Sequence, residues 1–294
     1  MSRPDLVTRL AAGAMVLDGA ISTELKRRGV IDSRESDGTV RKGIASRSAT
    51  AVLDAPAELQ SLHEDYLRAG ADIITTNTFN TNRAKFDFRG IPEMAGRLEE
   101  INVRAVEIAV RARDSVKPGA YVAGSISPPK PRGAPIAPER AARDYIEQAR
   151  ILAGAGVDAL LLEYHSSVAE CVLAVRSVSG LGVPVLLGVC NVTEGGLMAS
   201  GESFGRLAES LAGTGVSAVL AMCSRPDAIS AALPKLIEEF DVAFGAYPNV
   251  VGDSEFTPEV HAAYAEKWRA MGARVVGGCC GTTPAHVAAV AQCL

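Results

Sequence analysis

No stretch of the chain reaches the roughly 18 consecutive apolar residues that a membrane-spanning helix needs. The opening residues, MSRPDLVTRL, lack the apolar core of a secretory leader. Nor is there a lysine- and arginine-rich tract of the kind that grips a phosphate backbone, and the formal net charge is −4. These absences lead us to expect a soluble, cytoplasmic protein with neither membrane nor nucleic acid as a partner. Aromatic residues make up only 5% of the chain, with a single tryptophan. The four histidines (His63, His165, His261 and His286) are scattered, and three fall in helix-like segments. They are expected at the surface or just outside a site, with His165 alone near a strand end. The six cysteines form no Cys-x-x-Cys pair, which argues against disulfide exchange of the thioredoxin kind.

What is present is material for a large core, since 48% of the 294 residues are hydrophobic. Short apolar runs recur along the whole length: 15–18, 72–78, 120–125, 157–163, 184–189, 216–222, 242–246 and 273–278. They are almost continuously hydrophobic, as strands buried on both faces must be. Helical patterns lie between them, over 56–70, 93–115, 137–156, 167–180, 203–215, 227–240, 257–272 and 283–294. Pro56 and Pro284 sit where a first helical residue belongs, and Thr283 suits a cap. Eight strands alternating with helices predict a (β/α)8 TIM barrel, a single α/β domain over residues 1–294. A doubly wound open sheet is the alternative. Two polar or proline-rich stretches, 30–50 and 127–138, read as long loops on the face that carries a barrel's active site.

Cys223 follows the sixth apolar run, and Cys279-Cys280 follows the eighth, framed by Gly277, Gly278 and Gly281. Ends of strands in one barrel open onto one face, so the three thiols can meet although they are distant in sequence. Two adjacent side chains reach one ion only if the backbone turns sharply, and glycine permits such turns. Three thiolates would leave one position of a tetrahedral zinc open, as in a catalytic site, and soft sulfur prefers zinc to magnesium or calcium. A vicinal disulfide and simple core packing are the plainer readings of the same residues. Cys171, Cys190 and Cys293 are read as packing residues.

The segment GGCCGTTPAHV (277–287) resembles the closing signature of the homocysteine S-methyltransferase family. LDGAISTELKRRG (17–29), HEDYLRAGADIITTNTFNTN (63–82), AGSISP (123–128), YIEQARILAGAGVDALLLE (145–163) and AYPNV (246–250) are similar to other family segments, in the same order. The resemblance covers nearly the whole chain. It implies a zinc-dependent methyltransferase that moves a methyl group from a cationic donor to the thiol of homocysteine, giving methionine. It implies zinc on Cys223, Cys279 and Cys280, with no catalytic group beyond that site. Asp18 and Gly19 match the motif that meets the amino-acid end of homocysteine, and Glu163 the acid that holds its amino group. Thr76 and Phe79 fall in the strand segment lining that pocket. Asn80 matches a position that can fill the fourth zinc site when substrate is absent. The chain leaves no room beside the barrel for a cobalamin or folate module, so a stand-alone enzyme with a small diffusible donor is expected.

Two departures bear on the donor. The family pattern Gly-x-Asn-Cys reads Leu220-Ala221-Met222-Cys223 here, so a polar contact near the metal must be lost or made differently. Where many members have Trp-Ser, this chain has Arg47-Ser48. A quaternary ammonium is best held by aromatic faces, and of the expected cage positions only Tyr164 is aromatic. An arginine there would repel a cation unless it grips a carboxylate. S-methylmethionine is therefore ranked above betaine, although Glu163-Tyr164 resembles the betaine branch. Another sulfonium or betaine donor with a different thiol acceptor, or a non-catalytic zinc- or thiol-binding barrel, are the competing readings.

Overall fold

Eight parallel strands pair in sequence order in the computed structural model, which describes residues 3–31, 44–88, 91–130 and 134–294. They are β1 (Met15–Val16), β2 (Ile73–Thr75), β3 (Tyr121–Ile126), β4 (Ala159–His165), β5 (Val185–Cys190), β6 (Val216–Met222), β7 (Ala243–Tyr247) and β8 (Val275–Val276). The ladder runs unbroken from β2 to β8 and on to β1. A parallel bridge between Leu17 and Ile73 joins β1 to β2. Asp18 N–H to Ile73 O (2.9 Å) and Asp72 N–H to Val16 O (2.7 Å) flank that bridge. The result is the expected (β/α)8 barrel rather than an open sheet.

Alternation along each strand explains why the sequence runs are solidly apolar. Leu161, Leu186, Leu220 and Val275 point into the barrel and join one buried cluster. Their neighbours Leu160, Leu162, Leu187, Val219 and Val276 point outward and pack under the helices in a second cluster. Both faces exclude water, so neither can be polar. The outer ring comprises α4 (Pro56–Arg68), α6 (Leu98–Val116), α7 (Pro138–Gly154), α8 (Val168–Val178), α9 (Phe204–Leu211), α10 (Pro226–Glu239), α11 (Pro258–Ala270) and α12 (Pro284–Cys293). Proline opens α4, α7, α10, α11 and α12, where its missing N–H costs nothing.

Several expectations need correction. Residues 44–50 of the supposed loop 30–50 belong to a helix, α3 (Ile44–Asp54), in which Ala49, Ala51 and Val52 are buried. Residues 32–43 and the side chain of Arg47 lie outside the described residues. The helix expected from residue 93 begins as a 3-10 turn, Pro92–Arg97, and becomes α-helical only at Leu98. Three short helices have no counterpart in the sequence reading: α1 (Leu6–Ala12), α2 (Ile21–Arg27) and α5 (Arg83–Phe88). Leu6 and Leu10 of α1 join the inner cluster and plug the amino-terminal mouth. Arg3, bound to Asp158, and the Tyr121 hydroxyl, donating to Pro4 O at 2.8 Å, hold that plug in place. With one end sealed, the other mouth is left to the chemistry. No described helix is long and apolar enough to cross a membrane.

His165 closes β4, near a strand end as expected, but the sequence reading does not foresee how deeply the histidines are buried. His63, His165 and His261 are fully buried. Burial drops each imidazole to a pKa of about 4, so all three are neutral near pH 7. They occupy helix and strand positions whose apolar neighbours, not their own polarity, decide the burial.

Candidate active site

The carboxyl ends of the strands enclose a cavity of about 720 Å³. Cys223 sits directly after β6, and Cys279 and Cys280 follow β8 across Gly277 and Gly278. The three sulfurs lie within 4.8 Å of one another, and all three residues line the cavity. Backbone hydrogen bonds lock this arrangement. Cys223 N–H donates to Tyr247 O (2.9 Å), Cys279 N–H to Pro248 O (2.9 Å), and Val250 N–H to Cys280 O (2.9 Å). The β8 turn is also tied to the start of the chain, with Gly278 N–H donating to Asp18 O at 3.0 Å.

The glycines of this turn are there for space. A Cβ on Gly278 would stand 2.2 Å from Oγ1 of Thr282, and that hydroxyl donates to Cys279 O at 2.7 Å. Gly281 takes a left-handed φ of 88°, turning the chain directly after the two consecutive thiols. Cys223 itself adopts φ of 44°, and Tyr164 and Asn191, just at or after the ends of β4 and β5, are left-handed too. Non-glycine residues pay about 1–2 kcal/mol for this conformation, which persists where surrounding contacts fix the backbone around a site.

All six cysteines are free thiols. Cys279 and Cys280 keep their sulfurs 3.8 Å apart, a contact and not a bond. The cluster shares its protons unequally. Hydrogen bonds from Cys223 and Cys279 pull the Cys280 thiol down to about 3, and the two donors are pushed up in turn. The cluster therefore offers one thiolate, the form that binds metal, hydrogen-bonded by two thiols. Cys190, at the end of β5, packs in the same inner cluster as Cys223.

Two buried carboxylates face the cavity beside the thiols. Asp18, just past β1, accepts Thr75 N–H at 2.8 Å and the Thr75 hydroxyl at 3.2 Å. Burial raises its pKa well above the ordinary range, and the charge of Glu163 adds to the effect. Glu163, on β4, accepts the Tyr247 hydroxyl at 3.3 Å on Oε1 and the Ser125 hydroxyl on Oε2. Burial lifts its pKa to about 7, against the pull of those two hydroxyls. Burial thus holds both carboxyls toward the neutral form, and an incoming ammonium, by pairing with them, favours their ionisation, so the pocket prefers a cation.

The remaining sequence-selected residues also line the cavity: Gly19, Thr76, Phe79, Asn80 and Tyr164. The Thr76 hydroxyl is engaged locally, bonded to Thr78 Oγ1 at 2.6 Å and accepting Ser125 N–H at 3.1 Å. Asn80 Oδ1 accepts from Lys85 Nζ at 3.3 Å. The rings of Phe79 and Tyr164 meet edge to face with centroids 6.1 Å apart. At the Met222 departure, the thioether makes polar contacts of its own. Its Sδ accepts Tyr164 N–H and contacts the Tyr247 hydroxyl, both at 3.0 Å. A Cβ on Gly188 would come within 2.7 Å of both Met222 Sδ and the Tyr247 oxygen, so the three residues interlock.

Sequence reasoning missed Ser125, Tyr247, Thr75, Lys85 and Phe88 as cavity residues. Ser125 lies in AGSISP and Tyr247 in AYPNV, so the signal was present in segments noted without assigning a residue. Nothing in the sequence singles out Lys85 or Phe88.

Fold and site together define a (β/α)8 barrel whose carboxyl-terminal mouth holds three converging thiols beside two buried acids. The family model of homocysteine S-methyltransferase matches residues 15–294; the chain belongs to that family and is an enzyme of that class. It is similar to homocysteine S-methyltransferase 1 of Zea mays, 26% identical over 99% of this chain and 97% of the relative. It is also similar to betaine–homocysteine S-methyltransferase 1 of Pongo abelii, 26% identical over 99% of this chain and 75% of that protein. Among solved structures, the metallated form of the homocysteine methyltransferase MmuM from Escherichia coli superposes with a TM-score of 0.80. That match has 25% identity and covers 95% of this chain and 96% of the other.

Proposed function

We propose that this protein moves a methyl group from a cationic donor, S-methylmethionine in first place, to the thiol of homocysteine, with zinc held by Cys223, Cys279 and Cys280. The donor set suits that ion. Three sulfurs lie within 4.8 Å of one another at the wall of a cavity, and they come from two strand ends rather than a closed loop. Three protein ligands with a side open to substrate is the pattern of catalytic zinc, and soft sulfur disfavours magnesium and calcium. When bound, zinc would hold the acceptor's sulfur as a thiolate near pH 7, where a free thiol is mostly protonated.

The chain's own residues do the rest. Asp18 and Glu163 would take the acceptor's ammonium group, and Ser125 and Tyr247 keep Glu163 turned toward it. Gly19 lets the chain beside Asp18 pack close against Tyr66 and Thr282, since a Cβ on it would come within 2.9 Å of both. As the acceptor's sulfur takes the methyl carbon, the donor's carbon–sulfonium bond breaks and a neutral thioether departs. The enclosure holds the two reacting groups in line and keeps water away.

The observation that carries the proposal is the meeting of the cysteine trio with Asp18 and Glu163 in one cavity. Betaine is the second reading, favoured by the Phe79–Tyr164 edge-to-face pair and by Phe88 at the lining, since aromatic faces suit a quaternary ammonium. Incubation with homocysteine and a panel of donors, read by methionine formation, decides between them. Methionine from S-methylmethionine is the expected result. Turnover with betaine alone would transfer the assignment, and no turnover with any sulfonium or betaine would end it.

A further inference from the structure

Lys85 brings a positive charge into the cavity from the first turn of α5. It is only 6% exposed. Its ammonium donates to Phe79 O (3.2 Å), to Asn80 Oδ1 (3.3 Å) and to the Ser127 hydroxyl. It also stands 4.3 Å from the centre of the Phe79 ring. These contacts fix the ammonium in one orientation before any ligand arrives, which removes the entropy a free lysine loses on binding. Its charge is felt by Glu163, whose pKa it lowers. The second lysine in the lining, Lys130, is bound to Glu170 at 2.8 Å.

We propose that Lys85 is the carboxylate anchor of this site. An amino-acid reactant carries an ammonium and a carboxylate on one carbon. Asp18 and Glu163 attract the first and repel the second, so a cavity bearing acids alone recognises half of a zwitterion. Lys85 supplies the opposite pole. An incoming carboxylate would take the place of Asn80 Oδ1, the longest of these three hydrogen bonds to described residues, and leave Phe79 O and Ser127 to keep the ammonium aimed. The inference rests on the methyl-transfer reading above. Both homocysteine and S-methylmethionine present this group, and the experiment tells them apart.

The test is a thermodynamic cycle with two reactant pairs. One compares homocysteine with 3-aminopropane-1-thiol, the same thiol without its carboxylate. The other compares S-methylmethionine with (3-aminopropyl)dimethylsulfonium. Each KM is measured for the unaltered enzyme and for Lys85→Met. For the reactant that Lys85 holds, removing the carboxylate should raise KM about tenfold or more in the unaltered enzyme. Lys85→Met should raise KM of the intact reactant to the same degree, and removal of the carboxylate should then add nothing. The pair that shows this non-additivity names the reactant. Equal effects of Lys85→Met on intact and decarboxylated forms of both reactants would mean that Lys85 merely ties Phe79, Asn80 and Ser127 together, and would overturn the proposal. If Lys85→Met does not fold, Lys85→Gln, which keeps a donor for those oxygens, replaces it. Calorimetric binding of each thiol and each sulfonium reads the same cycle without turnover, so failure of the methyl-transfer reading and failure of the anchor are separately visible.

Discussion

The hydroxyl of Tyr247 lies 3.3 Å from Oε1 of Glu163, linking the end of β7 to the end of β4 across the mouth of the barrel. This phenol and Ser125 stabilise the charged form of a carboxylate that burial otherwise protonates, and the balance sets its pKa at about 7. Binding of an ammonium group needs the ionised form. KM for homocysteine is therefore expected to fall as pH rises through 7. Tyr247→Phe removes a donor to the anion, so it should raise KM about tenfold near pH 7 and move the midpoint of the profile upward. A pH series of KM for both proteins checks this; an unshifted midpoint in Tyr247→Phe would count against the assigned role of the pair.

Gly278 has no room for a side chain. A Cβ there would overlap Thr282, whose hydroxyl holds Cys279 O. Gly278→Ala should leave the barrel folded, cost about 1–3 kcal/mol of stability, and weaken metal binding at least tenfold by turning the thiols away from one another. Competition with a chromogenic chelator measures the second effect. Metal affinity equal to that of the unaltered protein would show that the turn is not what aligns Cys279 and Cys280.

His63 is fully buried, and neither ring nitrogen has a hydrogen-bond partner among the described residues. Its pKa of about 4 in the fold is below that of a free imidazole. The unfolded chain thus binds more protons between about pH 4 and 6.5, and stability falls as pH drops through that window. This group alone contributes up to about 3 kcal/mol to the loss. His63→Leu should flatten the acid limb of the stability curve while leaving the neutral plateau near its original height. Urea melts at pH 4.5 and 7 give both values, and an unchanged acid limb would refute the account of this residue.

Much of this architecture is legible in the sequence because strands buried on both faces leave a strong mark. Runs such as VDALLLE and VSAVLAM are apolar at every step for the reason seen in the structure, with Leu161 inside the barrel and Leu160 beneath the helices. The cysteines are legible because their type and strand-end positions point to one face. Less visible are features that depend on who the neighbours are. The helix α1 is only seven residues long, and only the barrel's open amino-terminal end makes Leu6 and Leu10 core residues. His63 and His261 look like surface or near-site residues until packing closes over them. The loss of asparagine before Cys223 looked like the loss of a polar contact. Met222 instead accepts Tyr164 N–H through sulfur, which no periodicity announces. Lys85 gives no signal at all, because its meaning comes from Phe79, Asn80 and Ser127 around it.

The central claim is that the sulfurs of Cys223, Cys279 and Cys280 hold one zinc ion on which methyl transfer to homocysteine depends. The most direct measurement is zinc content and methionine formation determined on the same samples of the unaltered protein and Cys223→Ala. We predict one zinc per chain and turnover in the former, and loss of both in the latter while the fold persists. Methionine formed at the unaltered rate by metal-free Cys223→Ala would contradict it.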